Sequence, residues 1–166
     1  MKKSIITISI ILLKIGGLFA QTFISGGQVS GLWTKANSPY IINGAIIIAN
    51  GSNLSLEPGV KVDFQGSYKF LILGSLQALG TVNDSIIFTA TNHSTGWLGF
   101  RLDSTSISND SSRFAYCRLE YGNVTAATYP DNEGGMFKII NFPKVRISNS
   151  RITNCQSLTC GAICCR

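Results

Sequence analysis

The sequence predicts an all-β fold, a right-handed parallel β-helix (solenoid) of about five coils of 21–22 residues with an N-terminal cap. Three observations predict it. Short apolar segments recur between Gly, Asn and Ser turns along the 166 residues. No stretch of about ten residues beyond the first twenty keeps a helical period. Leu54, Leu76 and Leu98 are spaced by 22 residues, as are Leu56, Ala78 and Phe100, and Leu119 and Ile140 each follow after 21.

Residues 1–20 read as a signal peptide. Lys2 and Lys3 precede an apolar run from Ile5 to Leu13, small residues follow at Gly16, Gly17 and Ala20, and cleavage is expected after Ala20. Lys14 interrupts the run, and a bilayer span takes about 20 apolar residues, so no transmembrane anchor is expected after signal removal. Without Lys2, Lys3 and Lys14, 11 basic residues face 8 acidic ones, and the net charge falls from +6 to +3. Cations this few and this scattered exclude the electrostatic footprint of a nucleic-acid binder.

Residues 21–39, with Trp33, are expected to fold over the first coil as a cap. Residues 40–154 are the parallel β-helix. Its candidate strands are Tyr40 to Ile42, Ala45 to Ile48, Leu54 to Leu56, Val60 to Phe64, Phe70 to Leu73, Leu76 to Ala78, Ile86 to Thr89, Leu98 to Leu102, Phe114 to Glu120, Met136 to Ile140 and Val145 to Ile147. Each coil buries its apolar side chains only by stacking on its neighbours, at the ~4.8 Å spacing of hydrogen-bonded strands. Repeated corners favour Gly, which tolerates positive φ, and Gly51, Gly59, Gly66, Gly74, Gly80 and Gly122 fit that role. Residues 155–166 are Cys-rich, and this stretch is expected to be a truncated or aberrant end whose uncapped coil favours end-to-end self-association.

Several stretches carry a family resemblance. Gly31-Leu32-Trp33, Ser38-Pro39-Tyr40-Ile41-Ile42-Asn43-Gly44 and Leu54-Ser55-Leu56-Glu57-Pro58-Gly59-Val60-Lys61-Val62-Asp63-Phe64 are three of them. Gly74-Ser75-Leu76-Gln77-Ala78-Leu79-Gly80-Thr81, Asp84-Ser85-Ile86-Ile87-Phe88-Thr89 and Gly96-Trp97-Leu98-Gly99-Phe100 are the others. Together they resemble the amino-terminal coils of secreted right-handed β-helix proteins of Bacteroidetes-type bacteria, over about Gly27 to Asn154. The resemblance implies a secreted or cell-surface location. It also implies a longer protein that often carries a tail for type IX secretion.

Catalysis on such a fold would act on uronic-acid polymers and needs clustered carboxylates, or a basic residue beside a charge-neutralising partner. The catalytic candidates are Asp131 and Glu133, in Pro130-Asp131-Asn132-Glu133-Gly134-Gly135, and Arg118 with Glu120 on one strand face. Ordinary turn chemistry accounts for the first pair, and an i, i+2 pair on a solvated strand accounts for the second. Trp97 and Tyr129 are candidates to stack on a sugar ring, with core or corner packing the favoured reading of Trp97. His93 is the lone histidine; with no acid beside it in sequence it supports neither triad nor metal cluster.

Five cysteines are present, and Cys155, Cys160, Cys164 and Cys165 are disulfide candidates, while Cys117 reads as a strand core residue. Their spacing lacks the paired C-x2-C knuckles of zinc sites, so no metal is expected, and nothing supports calcium or another cofactor. The expected function is a secreted β-helix module with a structural, adhesin-like or carbohydrate-binding role, its partner a polysaccharide or cell-surface glycan. The alternative is the N-terminal fragment of a polysaccharide lyase or glycoside hydrolase with its groove on later coils.

Overall fold

Alternation of apolar and polar side chains gives these short segments one inward and one outward face, and the structure, a computed structural model, describes residues 21–166. The signal-peptide assignment, with cleavage after Ala20, lies outside the described residues. The first coil holds β1 (Thr22–Ile24), β2 (Gly27–Gln28) and β3 (Gly31–Trp33), and the second β4 (Tyr40–Ile42), β5 (Ile46–Ile48) and β6 (Asn53–Leu56). The third holds β7 (Lys61–Phe64), β8 (Phe70–Ile72) and β9 (Ser75–Leu79). The fourth holds β10 (Ile86–Ala90), β11 (Phe100–Leu102) and β12 (Ser112–Ala115). The fifth holds β13 (Cys117–Glu120), β14 (Phe137–Ile139) and β15 (Val145–Ser148). A further part-coil adds β16 (Arg151–Thr153) and β17 (Ile163–Cys165).

Each strand pairs in parallel with the strand one coil on, giving three stacked sheets: β1-β4-β7-β10-β13-β16, β2-β5-β8-β11-β14-β17 and β3-β6-β9-β12-β15. This is a parallel β-helix. Inward side chains fill the space between the sheets, mostly aliphatic in the early coils (Ile42, Ile46, Ile48, Leu54) and aromatic later (Phe88, Phe100, Phe114, Phe137), all without solvent exposure.

Coil length departs from the expected 21–22 residues. Leu54 does face Leu76, and Leu56 faces Ala78. Beyond that rung, Ala78 faces Phe114 rather than Phe100, and Leu119 faces Phe88 rather than Leu98. In the first sheet, Tyr40 faces Val62 after 22 residues, Lys61 faces Ile87 after 26, and Ile86 faces Cys117 after 31. The strands stay in register while the corners lengthen, because extra loop residues carry a small entropic cost, ~0.6 kcal/mol for each doubling of a loop.

The long corners are anchored by buried polar side chains. Asn109, after β11, donates from Nδ2 to Asn50 Oδ1 at 2.8 Å and the Leu73 carbonyl at 2.8 Å, and its Oδ1 accepts from the Gly51 amide at 2.9 Å. Asn109→Ala strands those partners and is expected to cost about 1–2 kcal/mol, read as a lower urea midpoint with the m-value unchanged.

Both ends of the described chain carry paired strands. Residues 21–39, expected as a cap, build the first coil: β1, β2 and β3 pair in register with β4, β5 and β6. Trp33 is buried there, stacked on Tyr40 at 4.3 Å. The Cys-rich stretch 155–166 continues the solenoid, since β17 pairs with β14 along Phe137–Ile139. Extended backbone with alternating small and apolar residues can add a rung at either end without any repeat signature.

Cys117 starts β13 with its side chain inward, and burial pushes its thiol from 9.0 up to about 12. The raised folded-state value means that the neutral thiol contributes stability below pH 9. As pH rises above 9 the unfolded chain releases this proton and the folded one does not, so stability should fall by on the order of 1 kcal/mol per pH unit. Between pH 9 and 10, Cys117→Ala should lose less stability to rising pH than the parent chain, as measured by urea unfolding.

Candidate functional site: a polar cleft on the first sheet

The outward residues of β7, β10 and β13 are set by the same alternation that sends Val62, Phe64, Phe88 and Leu119 inward. Asp63 faces Thr89, and the pairing of Phe88 with Leu119 puts Glu120 next in that row. Beside it runs a second row in which Lys61 faces Ile87, Ile87 faces Arg118 and Arg118 faces Arg151. With Thr91 and His93 from the corner after β10, the side chains of these two rows as far as Arg118 and Glu120 line an open cleft of about 430 Å³.

Each acid in the cleft is matched by a cation two residues earlier on its own strand. Lys61 Nζ lies 2.7 Å from Asp63 Oδ2, while Thr91 Oγ1 donates to Asp63 Oδ1 at 2.8 Å. Arg118 donates through Nε and Nη2 to Glu120 Oε1, at 3.0 and 2.7 Å. The acids are the sheltered members, with side chains 10% (Asp63) and 14% (Glu120) exposed, against 42% for Lys61 and 51% for Arg118. His93 lies flat on Tyr121, ring centroids 3.8 Å apart and 5° from parallel. The floor of the cleft is tied to the core, because Trp97 Nε1 donates to the Glu120 carbonyl at 2.9 Å.

The structure brings some of the sequence candidates together and separates others. Arg118 and Glu120 share the open face as expected. Trp97 is fully buried and stacked on Phe64 at 4.1 Å, which is the packing role favoured for it and rules it out as a sugar platform. Its large apolar ring fills the corner where the coil widens. Tyr129 is exposed at the tip of the loop between β13 and β14, away from the cleft's lining.

Asp131 and Glu133 belong to a different environment. Their loop closes over the outward face of the second sheet, where Asp131 Oδ2 meets Lys69 Nζ at 3.0 Å and Glu133 Oε1 meets Arg166 at 2.7 Å. Arg101 of β11 lies under the same loop, and burial lowers its guanidinium to about 10 against the opposing pull of Asp131 and Asp103. A base held more weakly in the folded state works against stability at low pH, and that penalty lifts only above about pH 10.

Cys160 and Cys164 form a disulfide, while Cys117, Cys155 and Cys165 are free thiols. Burial also raises the Cys155 thiol above its ordinary value. Among the described residues no group of three or more His, Cys, Asp or Glu is placed to hold a metal ion.

Sequence spacing missed Asp63, Lys61, His93 and Tyr121. The 26- and 31-residue steps that put Asp63, Thr89 and Glu120 in one row are invisible to a 22-residue ruler. A cation-x-acid pattern on two strands, Lys61-Val62-Asp63 and Arg118-Leu119-Glu120, is the signal that could have linked them.

The fold defines the class, a parallel β-helix with a mixed-charge cleft on one sheet. No family model matches the chain, and no solved structure matches it. Over 80 residues, 47% of its length, the chain is 28% identical to Protein bark beetle of Drosophila melanogaster, of which this stretch covers 3%.

Proposed function

We propose that this protein is a secreted or cell-surface β-helix module that binds a polysaccharide along the outward face of its first sheet. The observation that supports this most is the row Asp63, Thr89 and Glu120 beside Lys61 and Arg118. Successive coils present hydrogen-bonding groups at the ~4.8 Å strand spacing, a repeating polar track suited to a repeating polar ligand. The acids are already hydrogen-bonded and charge-matched, so they are held as oriented acceptors for sugar hydroxyls, and the flat His93–Tyr121 pair supplies ring surface at the cleft wall. Among the described residues no helix is long and apolar enough to cross a membrane.

Titration calorimetry with a uronic-acid polymer and with a neutral glucan tests the reading. Binding of either is expected to weaken about tenfold in Glu120→Gln, a difference of about 1.4 kcal/mol, with the far-UV spectrum unchanged. An affinity indifferent to Glu120 and to Asp63→Asn would remove the cleft from consideration.

One observation favours a second reading, hydrolysis or elimination by this chain or by a longer protein containing it. Asp63 and Glu120 lie two strand spacings apart, roughly 9–10 Å, near the separation of paired carboxylates in inverting glycosidases. Against it, each carboxylate is engaged by its own cation, and neither is set apart as a proton donor. The binding reading predicts that the same polymers release no reducing ends and no unsaturated product.

A further inference from the structure

Beneath the loop between β13 and β14, a second cluster of charged groups has nothing to do with the cleft. Lys138, in the middle of β14, sits in register with Arg101 of β11, both side chains pointing out of the core and both about 1% exposed. Lys138 Nζ donates to the Pro130 carbonyl at 2.6 Å, which fixes its direction. It lies 3.7 Å from Asp103 Oδ2, two positions beyond Arg101, and 3.8 Å from Glu133 Oε2. Glu133 Oε1 is held by Arg166 at 2.7 Å, while its Oε2 is buried and has no hydrogen-bond partner.

This is a buried primary amine between two carboxyl groups, one placed as an electrophile and one fixed with a free oxygen toward the amine. We propose that Lys138 and Asp103 condense to an intramolecular isopeptide bond, with Glu133 as the proton carrier. The Lys138 ammonium gives a proton to Glu133 Oε2, and the freed amine attacks Asp103 Cγ. A C–N bond forms, one C–O bond of Asp103 breaks, and its oxygen leaves as water with two of the three ammonium protons. Glu133 returns to its starting state and no oxidant or cofactor is consumed. Neighbours held with their reacting atoms about 3–3.5 Å apart react with effective molarities of about 10⁵–10⁸ M, and Lys138 Nζ stands 3.7 Å from Asp103 Oδ2 on the adjoining strand end. The reaction also exchanges a buried ammonium, whose desolvation is expensive, and its partly exposed Asp103 partner for a neutral amide. The product would staple β11 to β14, binding the fourth coil covalently to the fifth.

Intact mass of the full chain, measured after denaturation and reduction and compared with the mass expected from its sequenced N-terminus, tests the proposal. The expected mass is short by one water, with a proteolytic branched peptide joining Asp103 to Lys138. Glu133→Gln and Lys138→Arg are expected at their full masses. A folded parent chain at full mass overturns the proposal. So does a missing water that maps within one linear peptide, as a cyclised Asp would give. Condensation in Glu133→Gln at the parent rate would remove Glu133 from the reaction. Because the parent chain's mass decides the main point, the test stands even if a variant fails to fold.

Discussion

Phe100→Ala is expected to destabilise the fold by about 3–5 kcal/mol, the largest effect of any single truncation in this core. Phe100 is fully buried and meets five aromatic rings: Phe70 at 5.4 Å, Phe88 at 5.0 Å, Trp97 at 5.0 Å, Phe114 at 4.9 Å and Phe137 at 5.0 Å. These rings come from three successive coils and, between them, from all three sheets, so the cavity opens where the sheets meet and cannot collapse by moving one strand. Domains of this size are stable by about 5–15 kcal/mol, so the loss takes about a fifth of the total or more. Urea unfolding followed by far-UV circular dichroism measures it. Val82→Ala, at an exposed position, should stay within about 0.5 kcal/mol.

Gly74→Ala is expected to follow, at about 3 kcal/mol, the upper end of the ordinary cost of overpacking. A methyl group at Gly74 would run into the carbonyl oxygens of Ser52 and Ala49, with Ile48 Cγ2 at 3.0 Å. Backbone atoms of the previous coil cannot rotate away. Gly51 offers the contrast: its φ is +75° and nothing lies within 4 Å of an added Cβ, so its requirement is conformational. Asn tolerates that region of φ, so Gly51→Asn should cost under about 1 kcal/mol while Gly74→Asn should cost more than Gly74→Ala. Thermal unfolding of the three variants separates the two causes.

The sequence reading attributed both glycines to positive φ, and the difference shows where one-dimensional reasoning stops. Positive φ is a local property and a Gly in a turn suggests it. A close approach between coils is a property of two segments 22 or more residues apart. The same limit explains the coil length. Leu54 and Leu76 reveal the rung because the corners of the second and third coils are short. Leu98 fails because it lies in the corner between β10 and β11, and the rung above Leu76 is reached only at β12, after the further corner held by Asn109. Most strand positions survived this error, since alternation within β7, β10 and β13 does not depend on how far apart they lie; the exception is Phe114 to Glu120, expected as one strand, which turns at Tyr116 (φ 50°) and divides between β12 and β13 on different sheets.

The cleft was legible only in part for the same reason. Arg118 and Glu120 could be placed on an outward face from their own strand. Their juxtaposition with Asp63, Thr89 and His93 required the register between strands. Asp131 and Glu133 looked like ordinary turn residues because the sequence does not say what the turn covers, and it covers Arg101 and Lys138.

Register within the first sheet is therefore the claim on which the cleft depends, and inter-strand nuclear Overhauser contacts in the isotope-labelled protein test it most directly. The account predicts contacts from Phe88 to both Val62 and Leu119, with Thr89 beside Asp63. Contacts from Leu119 to Leu98 in place of Phe88 would restore the uniform coil, separate Glu120 from Thr89 and Asp63, and contradict it.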